Sequence, residues 1–264
     1  MDKKWTISPF SLNRQVLSDV YDEFQKKHYM TGLMELDITQ ARTKLHQYTQ
    51  KSGEKISFTA WILRCIAKTV EKHPKVNAYR IGRRKLIHFH DVDISVMVEK
   101  EIKGKKIPIP VSIKQANTKS TLELSKEIRN AQLTEYEEND QLLYQGKLMK
   151  LYPFIPKFIR QRIIRHMISN PMTYFRQGAT IIVTSVGMFV KSKGWILGFG
   201  GLTTLNIAIG GISKRLTKLE DVIEEREFLN ITIHLDHDIL DGAPAARFAQ
   251  ELEDLITSGY DIPV

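Results

Sequence analysis

Between Ser57 and Pro74 the chain reads SFTAWILRCIAKTVEKHP, and Phe58, Trp61, Ile62, Cys65, Ile66 and Thr69 recur there at helical i, i+3, i+4 spacing. Ser57 stands where an N-cap belongs and Pro74 just past the end, so the pattern predicts a buried helix. The period then changes to two. Val92, Ile94, Val96 and Val98 alternate with Asp93, Ser95 and Met97, and IPIPVSI at 107–113 alternates too. This predicts a strand pair joined by the basic loop 100–106, KEIKGKK. Pro108 and Pro110 have no N–H for a ladder, which puts the second strand at an edge.

Further strands are expected in GATIIVTSVGMF (178–189) and LNITIHLDH (229–237), where Leu229, Ile231, Ile233 and Leu235 alternate with polar residues. A first helix is read in 12–27, followed by a strand in MTGLMELDI, 30–38. STLELSKEIRNAQ opens with Ser120 and Glu123 in capping-box spacing, and the stretch after Gly242 has Pro244 near its start and Gly259 past its end; both predict helices. The order α-β-α-β-β-α-β-β-β-α predicts an α/β sandwich, a mixed sheet with helices on one face. With no repeat and no linker-like tract, residues 1–264 are read as a single domain.

The uncharged stretch GWILGFGGLTTLNIAIGGIS, 194–213, is about long enough to cross a bilayer. Its six glycines, Asn206 and paired threonines suit two short buried strands around a Gly-Gly corner better than a membrane helix.

Composition adds little to this picture and charge adds more. At 264 residues, 42% hydrophobic and 26% charged, the chain is of ordinary globular type. Cys65, the only cysteine, excludes an internal disulfide and reads as a core residue. The N-terminus lacks a signal-like apolar core, and a cytoplasmic setting is expected. A net charge of +9 calls for an anionic partner. Without helix-turn-helix, zinc-finger or RNP-like patterns, nucleic acid is not the expected one.

Candidate chemistry concentrates in HLDHDILDG, 234–242. It reads as a metal site, as a polar turn with Asp241 ahead of the last helix, or as a catalytic base with its support. Strand alternation sends His234 and His237 to opposite faces, against a shared metal. HFHD at 88–91 offers His88 and His90 on one face as a second metal candidate. A histidine followed by Asp-Gly and a helix suits an imidazole held near a structured carboxylate.

DHDILDGAPAARF closely resembles the DHRxxDGAxAARF signature of the dihydrolipoamide acyltransferase catalytic domain of 2-oxo acid dehydrogenase complexes, and the HHxxxDG box of chloramphenicol acetyltransferase. KISFTAWILRCIAKTVEKHPKVNA, HDVDISVMVE and VTSVGMFV are similar to further family segments in the same order. The resemblance implies a chloramphenicol acetyltransferase-like two-layer sandwich and CoA-dependent acyl transfer. It implies His237 as general base, Thr184 (with Ser185 the runner-up) as hydroxyl donor to the tetrahedral oxyanion, and Asp241 in a loop-holding salt bridge, for which Arg14 is the candidate partner.

It also implies a homotrimer, or a multiple of trimers, with the site between subunits. Coenzyme A or its acyl thioester enters as substrate, with no metal. The acceptor is a dihydrolipoyl group on a protein in trans, or a small hydroxyl or amine compound. The loop 100–106 with Arg83, Arg84 and Lys85 offers cations to CoA phosphates, although a solvated charge run is the safer reading for each; no residue is assigned to CoA binding.

The chain departs from the family at four places. The sequence opens on the catalytic domain, so no lipoyl group is expected on this chain. Asp238 replaces the family arginine, and the family Pro-Pro-Gln stretch is missing from 194–206. Residues 147–177 exceed the pattern and place Phe154, Ile155, Phe158, Ile159, Arg160, Arg162, Ile163, Ile164, Arg165 and Met167 in a basic amphipathic array. That insertion has three readings: packing on the core or a neighbouring subunit, a lid over the acyl channel, or peripheral contact with an anionic membrane through 154–168. The competing class of function is a retired acyltransferase-like scaffold or binding protein.

Overall fold

The computed structural model describes residues 4–82, 84–102, 105–134, 147–169, 178–185, 193–198, 200–219 and 221–263. Arg83, residues 103–104 of the basic loop, 170–177 of the insertion and 186–190 of the VTSVGMFV segment lie outside them.

Six strands form one mixed sheet in the order β1-β8-β7-β6-β4-β5: β1 (Tyr29–Asp37), β4 (Ile94–Ile102), β5 (Lys105–Ile113), β6 (Ile181–Ser185), β7 (Leu205–Leu219) and β8 (Val222–Asp236). β6 runs parallel to both β4 and β7, and the remaining pairs are antiparallel. β5, which carries Pro108 and Pro110, is an edge strand, as their missing N–H groups require.

Four helices cover one face of the sheet: α2 (Thr39–Ser52), α3 (Phe58–Lys72), α4 (Thr121–Leu133) and α6 (Gly242–Thr257). Trp61, Ile62, Leu63 and Ile66 of α3 are fully buried against Ile94, Val96, Ile181, Val183 and Ile207 of the strands and Phe248 and Leu252 of α6. Ser57 caps α3 by accepting from the Ala60 N–H, and Ser120 and Glu123 complete the capping box of α4. Cys65 is a free thiol in this core, and burial pushes its pKa well up.

Three features differ from the sequence expectations. α2 is an additional helix, and a separate hairpin, β2 (Ala78–Ile81) with β3 (Lys85–His88), precedes β4. The 194–213 stretch does not form two strands around a corner. β7 passes straight through Gly210 and Gly211 with a bulge between Ile209 and Ile212. The glycines let the 193–195 segment approach: the Gly211 N–H donates to Gly194 O at 3.1 Å, and a Cβ on Gly210 would lie 2.7 Å from that oxygen. Among the described residues no helix is long and apolar enough to cross a membrane.

The insertion folds as 3-10 turns at Lys147–Phe154 and helix α5 (Lys157–Ser169), which packs on α1 (Leu12–Phe24). At its far end, Ile168 joins a small cluster with Tyr79, Leu202, Phe24 and Ile87.

Candidate active site

Thr184 and Ser185 end β6 on opposite faces. Ser185 is buried on the helix side, whereas Thr184 is half-buried on the other face, in register with Ala208 and, one strand further, Thr232. β8 continues to Asp236, and His237 stands exposed in the turn that follows, its N–H bonded to His28 O at 2.7 Å. At about 3.4 Å per residue along the strand and ~4.8 Å per strand across, Thr184 and His237 are roughly 20 Å apart within one chain.

His234 does not accompany His237. It is buried on the same face as Thr184, with Nδ1 2.9 Å from the Thr31 hydroxyl, and burial holds its pKa below the usual 6.5. Its Nε2 has no partner among the described residues. His88 and His90 are exposed, His88 at the end of the β2–β3 hairpin and His90 just beyond it. No group of three or more metal-ligating side chains occurs among the described residues.

The turn carrying His237 is anchored by charge. The antiparallel register places Tyr29 opposite Asp236, so the basic residues just before β1 meet the acidic residues that end β8. Lys27 lies 2.9 Å from Asp236 in a largely buried pair, its ammonium 5.0 Å from the Tyr79 ring centroid. Burial lowers the Lys27 pKa, with Asp236 acting against that shift. Asp238 bridges His28 and Arg80 at 3.0 Å each. The bond from His28, then Arg80, holds its carboxyl below the usual carboxylate range. Leu240 is buried and closes the turn, its N–H bonded to Asp236 O.

Asp241 occupies the N-cap position of α6 but makes no side-chain cap bond, and it forms no ion pair with any described residue. Arg14 is exposed on α1 and does not meet it. The sequence singled out Asp241 with Arg14; within this chain the anchors are instead Lys27, His28 and Arg80. No local motif marks these three: the β1–β8 register brings Lys27 and His28 to the turn, whereas Arg80 reaches it from the separate β2–β3 hairpin.

A cavity of about 1040 Å³ opens between the helix layer and the sheet at the end of β6. Ile56, Ile128, Ile209 and Leu229 line its apolar wall and Ser185 part of its floor, while Arg42, Lys55, Arg129 and Lys193 add positive charge, with no carboxylate among the described lining residues. Arg42 is committed to Glu227 at 2.9 Å, whereas Lys55 and Lys193 form no ion pair with any described residue. Arg84 and Lys85, the cations proposed from sequence for phosphate contact, lie on the exposed hairpin and do not line this cavity.

A family model described as 2-oxoacid dehydrogenases acyltransferase (catalytic domain) matches residues 14–142 and 175–262. The chain belongs to this family. The stretch that the model leaves unmatched, 143–174, contains most of the insertion.

Over 255 residues the chain is 25% identical to the dihydrolipoyllysine-residue acetyltransferase component of the pyruvate dehydrogenase complex of Mycoplasma genitalium, covering 93% of this chain and 57% of that protein. It is 23% identical over 234 residues to the succinyltransferase component of the 2-oxoglutarate dehydrogenase complex of Staphylococcus epidermidis, covering 88% and 46%. The chain thus spans about half the length of the curated relatives it matches.

Solved structures share the fold. A probable dihydrolipoamide acetyltransferase from Listeria monocytogenes aligns with a TM-score of 0.70 at 18% identity, covering 99% of this chain and 98% of that one. The Azotobacter vinelandii dihydrolipoamide acetyltransferase, studied for the role of a serine, a histidine and an asparagine in its mechanism, aligns at 0.67 and 17%, covering 97% and 93%. The two-layer sandwich of this chain is therefore that of the acyltransferase catalytic cores.

Proposed function

We propose that this chain is a single catalytic domain that moves an acyl group between a CoA thioester and an acceptor thiol, the dihydrolipoyl group of another protein. Hydroxyl and amine acceptors are the alternatives. His237 takes the acceptor proton as its sulfur attacks the thioester carbonyl carbon. The carbonyl π pair moves onto oxygen, where the Thr184 hydroxyl donates a hydrogen bond worth roughly 3 to 4 kcal/mol of barrier. Collapse of the tetrahedral intermediate re-forms the carbonyl and expels the CoA thiolate, which takes the proton back from His237. The Lys27–Asp236 pair and the contacts of Asp238 with His28 and Arg80 hold the turn.

The observation that carries this reading is the separation of Thr184 from His237. A base and an oxyanion donor must both come within about 3 Å of the reacting atoms, and the two sides of one chain do not meet. A ring of copies with head-to-tail contacts brings the His237 turn of one copy to Thr184 of the next. A homotrimer, or a multiple of trimers, is the assembly that fits the family. The cavity at the end of β6 offers acyl-CoA an aliphatic wall for the pantetheine arm and Lys55 and Lys193, which form no ion pair with any described residue, for the phosphates. It opens on the helix side, so the thioester must pass round the end of β6 to reach Thr184 on the other face. A cytoplasmic setting accords with the single buried thiol.

Release of free CoA from acetyl-, succinyl- and longer acyl-CoAs, measured with dihydrolipoamide and with alcohol and amine acceptors, tests the reading. His237→Ala is expected to lose at least ~100-fold in turnover, the scale of a positioned base. His234→Ala should retain most activity. Equal losses in both variants, or no turnover with any acceptor, contradict the mechanism.

A further inference from the structure

The insertion holds to the protein by charge and turns its apolar side to water. Positions 160, 161, 164 and 168 of α5 face inward, a helical i, i+4, i+8 row. Along this seam Arg160 lies 3.2 Å from Asp19, Lys157 2.8 Å from Asp22 and Arg165 3.2 Å from Glu23. The Tyr152 hydroxyl donates to Asp19 at 2.7 Å, and the Arg160 guanidinium stacks on the Tyr152 ring at 4.8 Å. Ile164 and Ile168 complete the seam.

The outer side carries Phe158 (71% exposed), Ile163 (49%) and Met167 (60%), continued by Phe154 (82%) from the preceding 3-10 turn. An amphipathic helix on a protein surface has the opposite arrangement, polar side chains outward and an apolar stripe inward. Large exposed apolar side chains gathered on one side of a helix in this way mark an interaction surface.

Charge says what meets it. Residues 4–28 and 147–169 contain ten Lys and Arg against three acids, in a chain whose net charge is +9. Those acids, Asp19, Asp22 and Glu23, are all engaged by α5. Residues 147–169 hold no Asp or Glu. Arg162 is exposed among the apolar side chains, and Lys157 and Arg165 remain exposed along the flanks even while paired. A second copy of the same face would oppose Arg162 to Arg162 with no carboxylate between them.

We propose that this face docks on an anionic phospholipid bilayer. α5 lies in the plane of the surface, with Phe154, Phe158, Ile163 and Met167 in the headgroup–acyl boundary and Arg162 and the flanking Arg165 at the lipid phosphates. The inner seam is already satisfied by α1, so the helix docks without unfolding from the protein.

Co-sedimentation of the full chain with phosphatidylglycerol-containing vesicles, against vesicles of phosphatidylcholine alone, tests this. Binding is expected with the anionic vesicles only, and should fall at least ~10-fold near 1 M salt, where charges are screened beyond about 3 Å. The double variant Phe154→Ser, Phe158→Ser should lose at least ~10-fold in binding with an unchanged melting temperature, because both side chains are exposed. A Phe158→Trp reporter should shift its emission to the blue on the anionic vesicles. No sedimentation, no emission shift, or equal binding by the double variant overturns the proposal. So does a change in molecular mass on Phe154→Ser, Phe158→Ser without vesicle binding, which would make the face a contact between copies. Tighter binding to duplex DNA than to vesicles, indifferent to the two serines, overturns it equally.

Discussion

The Asp238 carboxylate lies 3.0 Å from the Arg80 guanidinium, which gives a structural role to the acid standing where the family has a basic residue. Arg80 belongs to the β2–β3 hairpin, so the pair ties the His237 turn to an element outside the main sheet. The carboxylate beside His237 is not left loose: it is taken up by Arg80 and His28.

Breaking this clamp should affect turnover more than stability. Both partners are partly exposed, and such pairs contribute about 0 to 1 kcal/mol. Asp238→Asn is expected to lower kcat roughly 5- to 10-fold by loosening the base, with KM nearly unchanged. The exchange Asp238→Arg with Arg80→Asp should recover part of that loss. Steady-state kinetics of the two variants against wild type decide the matter; an unchanged kcat in Asp238→Asn shows that the clamp does not position His237.

If the cavity beside Ser185 takes acyl-CoA, Lys55→Ala combined with Lys193→Ala should raise KM for acyl-CoA by about 5- to 10-fold and leave kcat within ~2-fold, the mark of lost uniform binding. The defect should shrink for a truncated pantetheine thioester that lacks the phosphates. Equal defects with both substrates would place the phosphates elsewhere.

His234 predicts a pH dependence of stability. Burial lowers its pKa in the folded chain below the usual 6.5, so between these two values the unfolded chain binds the proton and the folded chain does not. Stability therefore rises with pH through that window and falls on acidification below 6.5. Asp238 acts at lower pH, since its stabilisation is lost only as pH drops through its depressed pKa, below 3.8. Urea unfolding at pH 7.5 and 5.5 should show a loss in the wild type that His234→Gln reduces; identical losses would rule out His234 as its source.

The elements that could be read from sequence are those whose apolar positions keep a regular period. α3 buries ten of its fifteen residues and carries a cap, and in β8 apolar and polar residue types alternate from Leu229 to Asp236 although both faces are buried there, so period identifies both. α2 was not legible, because it buries only Ala41 and Leu45 and its N-cap, Ile38, makes no side-chain bond. The β2–β3 strands are four residues each, too short for a period to register. β7 was read as two strands because glycine pairs usually mark corners, whereas here they admit the 193–195 segment against a bulged strand.

The candidate site was legible to a similar degree. Thr184, His237 and Asp241 stand out through a motif, while the anchors Lys27 and His28 come in through the β1–β8 pairing and Arg80 through the packing of a separate hairpin. The roles of the inner and outer faces of α5 were hidden for another reason: the amphipathic pattern is visible in the sequence, but which side faces the protein is set by the acids of α1.

Subunit mixing tests the shared site most directly. His237→Ala and Thr184→Ala protein are each expected to be nearly inactive alone. After dissociation and reassembly in equal amounts, head-to-tail contacts pairing an intact His237 with an intact Thr184 arise at about one quarter of interfaces in a randomly mixed trimer, so activity should recover toward one quarter of wild type. Recovery to that level supports a site built from two chains. No recovery, with exchange verified by mass spectrometry, would contradict it.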